Sequence, residues 1–136
     1  MCLRAYTVYM HAIHTRDVPY DICELQDEIR NSIKAGGFSV VRELEIQETL
    51  IEKQDLVCTP STVFEVFHET FSKQLLAVSE EASLVLPQRL VVYKKGGGSC
   101  VSLLKIGHLF EGHEDPEIQK KAQLLEDLLI SALEEL

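Results

Sequence analysis

Over residues 3–14, Tyr6, Val8, Met10 and Ala12 alternate with more polar neighbours, the period-two pattern of a half-buried strand. The period then lengthens. Ile22, Leu25, Ile29 and Ile33 recur at three and four, with Glu24, Asp27, Glu28 and Arg30 between them, which predicts an amphipathic helix. Asp17, Pro19 and Asp21 supply start signals for that helix, and Gly36-Gly37 ends it, because glycine accepts the left-handed conformation of a helix stop. A second strand is predicted over 38–46, one or two helical turns over 47–53, and a short apolar strand over 55–58.

Thr59-Pro60 then reads as a helix entry, a capping hydroxyl followed by proline at the first helical position. Val63, Phe67, Phe71, Leu75 and Val78 continue it as an apolar stripe, which Ser79–Ser83 breaks. Pro87 precedes a strand over 89–93. Residues 94–99, rich in lysine and glycine, form a flexible hairpin loop, and 100–106 return as the partner strand. A polar loop over 108–114 leads to Asp115-Pro116-Glu117, which opens a last helix with its acids at the positive dipole end. The predicted order is β-α-β-(α)-β-α-β-β-α. Neither linker nor internal repeat interrupts it, so residues 1–136 are expected to form one α+β domain. Its sheet should be twisted and largely antiparallel, with helices packed on one face.

Composition narrows the function. The chain has 136 residues, 46% hydrophobic and 26% charged, ordinary values for one globular domain. A net charge of −9 and a pI near 5.0 argue against a nucleic-acid partner, which would require a basic face. No apolar run approaches the ~20 residues of a membrane span. Met-Cys-Leu-Arg-Ala-Tyr lacks the basic and apolar regions of a secretory signal, so a cytoplasmic address is expected. Four cysteines (Cys2, Cys23, Cys58 and Cys100) are scattered with no Cys-x-x-Cys spacing, as small buried hydrophobes would be.

Three stretches carry a family resemblance: the glycine-phenylalanine strand and Thr-Leu-x-x-Lys turn of residues 35–53, Cys58-Thr-Pro-Ser-Thr-Val-Phe64, and Leu84-Val-Leu-Pro-Gln-Arg-Leu-Val-Val-Tyr93. In that order, over about residues 25–105, the chain resembles the family catalogued as domain of unknown function 302. The resemblance implies a compact α+β domain, commonly a dimer, with no assigned activity. Two positions depart from the family pattern. Gln88 stands where cysteine often follows leucine-proline, and Thr59 where asparagine is frequent. A two-cysteine site built from those motifs is therefore missing here.

The candidate chemistry is sparse. Cys58 closes a predicted strand just before a predicted helix start, where unpaired N–H groups would favour a thiolate, so a redox role is one alternative. The simpler reading is a packed strand residue. His108, Glu111, His113 and Glu114 share a loop and offer the imidazole and carboxylate donors that transition metals accept. Their His-x4-His spacing matches no strong signature, and a solvated acidic loop explains them as well. His11 and His14, three apart on a strand, point to opposite faces, and His68 reads as a surface or satisfied core histidine. Gly96-Gly97-Gly98 leads into a strand rather than a helix, so it is a hairpin tip and not a phosphate loop.

No nucleophile elbow, metalloprotease helix or dinucleotide fingerprint is present, and no cofactor is expected. In the last helix, Ala122, Leu125, Leu129, Ala132 and Leu136 form a stripe that Leu124, Leu128 and Leu133 widen beyond the ~100° a sheet-covering helix needs. Those three leucines are the expected homodimer interface. The leading expectation is a non-catalytic assembly or small-ligand-binding module, its small-molecule ligand lying between helices and sheet.

Overall fold

The computed structural model describes residues 12–46 and 61–136. Among them five strands make one antiparallel sheet: β1 (Ile13–Val18), β2 (Phe38–Glu45), β3 (Ser61–His68), β4 (Gln88–Lys95) and β5 (Gly98–Leu104), in spatial order β1-β5-β4-β3-β2. The helices are α1 (Ile22–Ala35), α2 (Phe71–Val78), α3 (Ile106–Leu109) and α4 (Pro116–Glu134), with a 3-10 turn at Glu80–Leu84. The fold is α+β. Strands β2 to β5 meander across the sheet, and β1 adds to the outer edge of β5. Consequently α1 joins the two edge strands by crossing the sheet face.

Helix α1 follows its sequence signals. Asp21 caps it by accepting from the Glu24 N–H at 2.9 Å, and Leu25, Ile29 and Ile33 are buried one turn apart. Gly37 takes φ +86° just past the end, a conformation that disfavours side chains. Helix α4 starts on the Asp115 cap, whose carboxylate accepts from Glu117 N–H at 2.9 Å, with proline in the first turn.

One core cluster fills the layer between sheet and helices: Phe38, Phe64, Val66, Leu90, Val92, Val101 and Leu103 from the strands meet Leu25, Ile29, Ile33, Leu129 and Leu133. A second cluster lies beyond the end of the sheet, where Leu75, Leu86, Ile106 and Phe110 pack on Ile118, Ala122 and Leu125. Helix α4 serves both clusters. The residues it gives to the two clusters follow one another along a single face, and Leu124 and Leu128 lie beside that face. Leu133 is fully buried in its own chain, which removes it as an interface residue, while Leu128 is half-buried against the core and Leu124 is exposed.

Four expectations change. Residues 61–68 form a strand, not the start of a helix, and α2 begins only at Phe71. Residues 63, 67 and 71 share a helix face at intervals of four, but they also share one parity along a strand, so their spacing fits both. Ser-Thr-Val-Phe-Glu-Val-Phe-His is rich in β-branched and aromatic residues, and its place between β2 and β4 settles it as a strand. Residues 94, 95, 98 and 99 are paired in β4 and β5 rather than looped, leaving a two-residue Gly96-Gly97 turn with Gly96 at φ +57°. Asp17, read as a start signal for the first helix, lies within β1, and His108 lies within α3, where a loop is expected. The strand at 55–58, the turns at 47–53 and most of the first predicted strand lie outside the described residues.

His68, the last residue of β3, accepts the Thr70 and Phe71 N–H groups on Nδ1, both at 3.2 Å, so it caps α2 where Thr70 supplies no side-chain bond. Gln88 is less well served. Its Nε2 donates to the Leu125 carbonyl at 3.1 Å, but its buried Oε1 has no partner among the described residues. An unpaired buried acceptor costs about 1–3 kcal/mol. Gln88→Met, similar in length and free of that acceptor, is expected to raise the unfolding free energy in urea titration by about 1 kcal/mol. A loss of stability would show that Oε1 is satisfied.

Candidate functional site

Between sheet and helices, where a ligand is expected, the described residues form a continuous core. Leu25, Ile29, Phe64, Leu90, Leu129 and Leu133 are all 0–1% exposed and fill the layer. Side chains alternate along each strand, so the intervening residues emerge on the opposite face of the sheet. Cross-strand register orders them into rows. Arg42, Glu65 and Arg89 make a charged row over β2, β3 and β4 that continues to Leu104 and Ile13. Leu44, Val63, Val91, Ser102 and Thr15 make the next, and Ser61, Tyr93, Cys100 and Asp17 the third.

Across the first two rows lies a cleft of about 310 Å³. Ile13, Val63, Val91 and Leu104 line it, Leu90 and Leu103 back it, and Arg89 and Ser102 supply its polar atoms. On the β5 side the cleft borders a hydrogen-bonded ladder. Thr15 Oγ1 lies 2.9 Å from Ser102 Oγ, which lies 3.2 Å from Tyr93 Oη, and the Cys100 thiol donates to that phenol at 3.3 Å. Lys95 Nζ reaches Asp17 Oδ1 at 3.3 Å.

The electrostatics of the ladder follow from these contacts. Burial pushes the Cys100 thiol above its usual range, and the thiol in turn raises the Tyr93 phenol. The Cys100 thiol and then the Lys95 ammonium hold the Asp17 carboxyl below the ordinary carboxylate range. A thiol kept protonated is a weak donor and a poor nucleophile. The ladder thus presents hydroxyls, a thiol and an ion pair beside the cleft.

The residues singled out by sequence fall elsewhere. Cys58 and His11 lie outside the described residues. His108 Nδ1 is 3.2 Å from Glu111 Oε2, whereas His113 Nδ1 accepts the Asp115 N–H at 3.0 Å and its ring leans on Phe110. Glu114 is exposed beside them. Among the described residues no group of three or more His, Cys, Asp or Glu side chains is placed to hold a metal ion. His14 pairs with Glu134 at 3.1 Å on the helix side. Also among the described residues, no helix is long and apolar enough to cross a membrane.

Sequence reasoning missed Ile13, Val63, Arg89, Val91 and Ser102 as neighbours. One signal was available: Leu90-Val91-Val92-Tyr93 is apolar at both parities, unusual for an antiparallel strand with one wet face.

Comparison with known proteins agrees with this architecture. The family profile described as domain of unknown function DUF302 matches residues 14–136. The fold is similar to the crystal structure of an uncharacterized conserved protein DUF302 from Bacillus stearothermophilus, with a TM-score of 0.83 and 27% sequence identity over 90% of this chain and 95% of that one. No curated protein gives a significant match.

Proposed function

The chain belongs to the DUF302 family, and from that footing we propose that it is a non-catalytic module holding a small ligand with an apolar body on the sheet face opposite the described helices. The observation that carries this reading is the cleft of about 310 Å³, floored by Ile13, Val63, Val91 and Leu104. Its volume falls at the lower end of small-molecule sites, which run to roughly 300–1,000 Å³ and are mostly apolar with few polar groups. Here those groups are Arg89 and Ser102. The neighbouring thiol is held protonated by burial, which supports binding over chemistry.

The test is titration of the isotopically labelled protein with 1-hexanol and 1-octanol, followed by backbone amide shifts. Shifts are expected at Ile13, Val91 and Leu104, with Leu129 on the far face unmoved. Each buried methylene contributes about 0.8 kcal/mol, so the two extra methylenes of octanol should tighten binding on the order of 15-fold. Val91→Glu, which places a charge on the cleft floor, should abolish it. Shifts absent, or confined to another region, would sink the proposal.

A further inference from the structure

Resting on that reading, we infer that the ligand is a small amphipathic carboxylate whose head group is held by Arg89. Among the described residues, five charged side chains stand on this face of the sheet, and four have partners. Arg42 Nη1 lies 3.6 Å from Glu65 Oε1, and Lys95 pairs with Asp17. Arg89, opposite Glu65 in register, has no acidic partner among the described residues. The row Arg42, Glu65, Arg89 therefore carries two cations and one anion, and the surplus positive charge sits on the residue that lines the cleft.

This local sign runs against the rest of the molecule. A chain of net charge −9 repels anions at long range, so an anionic head must be recognised at short range by a dedicated cation. Guanidinium suits that task, since its planar fork matches a carboxylate in two parallel hydrogen bonds. The hydroxyls of Thr15, Tyr93 and Ser102 already bond to one another, which leaves Arg89 as the charged group of the cleft with no acidic partner among the described residues. Arg89, Val91 and Tyr93 emerge in succession along β4, about 13 Å apart end to end at roughly 3.3 Å per residue. A carboxylate on Arg89 thus sends its chain over Val91 toward the hydroxyl wall.

The experiment compares three probes of one chain length, octanoate, 1-octanol and octylammonium, all below micelle-forming concentrations. Wild-type protein should bind octanoate at least tenfold more tightly than octanol, with octylammonium weakest, and added salt should narrow the difference. Arg89→Gln should erase the octanoate preference, and wild-type amide positions at Leu129 on the far face certify the variant as folded. Equal or weaker binding of octanoate than octanol to the wild type overturns the carboxylate inference and leaves the cleft intact. So does an octanoate preference that survives Arg89→Gln. Failure of all three probes to move Ile13, Val91 and Leu104 overturns the cleft and the inference together.

Discussion

Phe64→Ala is expected to lower the unfolding free energy by about 3–5 kcal/mol, a large share of the roughly 5–15 kcal/mol that holds a domain of this kind. Phe64 heads the fully buried side chains by volume, with none of its surface exposed. It lies on β3, hydrogen-bonded on both sides to β2 and β4, and faces Leu90 and Glu43 in register. Truncation removes the ring's burial and leaves a void that main chain on both sides keeps from collapsing. A second loss adds to it. The Arg30 guanidinium rests 5.6 Å from the ring centroid, steered there by Glu43 at 2.6 Å and Asp27 at 2.8 Å. Urea titration followed by circular dichroism should show a lower midpoint with an unchanged slope. A loss below about 1.5 kcal/mol would mean that this layer can repack around an alanine.

How much of this architecture the chain announces depends on how local each signal is. Helices α1 and α4 are legible because Asp21 and Asp115 satisfy orphan N–H groups from within their own turns. The hairpin is legible because Gly96-Gly97 supplies its turn chemistry from two adjacent residues. Strand β3 is not, because residues four apart satisfy both periods, and what decides between them is pairing with β2 and β4. Those partners lie far away in sequence. The leucine stripe of α4 is legible only in part for a related reason: Leu125, Leu129 and Leu133 are buried in their own chain while Leu124 stays exposed, and no single-helix pattern tells core from partner surface.

The site is harder still. Its lining comes from β1, β3, β4 and β5, with Ile13 and Leu104 brought together across some ninety residues of chain by register alone. His108 and His113, chosen for their chemistry, meet local partners, the Glu111 carboxylate and the Asp115 backbone N–H. Arg89 looks like an ordinary exposed arginine in the sequence. Only the row that it shares with Arg42 and Glu65 makes it the unmatched charge. Composition can say that the molecule is acidic; it cannot say where the acid is already spent.

Gly98→Ala is expected to destabilise the protein by about 1–3 kcal/mol, whereas Gly97→Ala, one residue away, should change it by less than about 0.5 kcal/mol. A Cβ on Gly98 would overlap the Val18 carbonyl oxygen and come within 3.2 Å of Pro19 Cα, both backbone atoms with no rotamer to change. At Gly97 nothing lies within 4 Å. The clash therefore falls on the end of β1, which must swing away from β5. That edge strand carries Ile13 to the cleft and Thr15 and Asp17 to the ladder beside it, so the substitution should reach the site as well as the fold. Amide exchange should quicken along Ile13–Val18 ahead of β3 and β4, and 1-octanol should bind several-fold more weakly than to Gly97→Ala. Equal stability and equal octanol affinity in the two variants would show that β1 tolerates displacement and that the cleft does not depend on its close approach to β5.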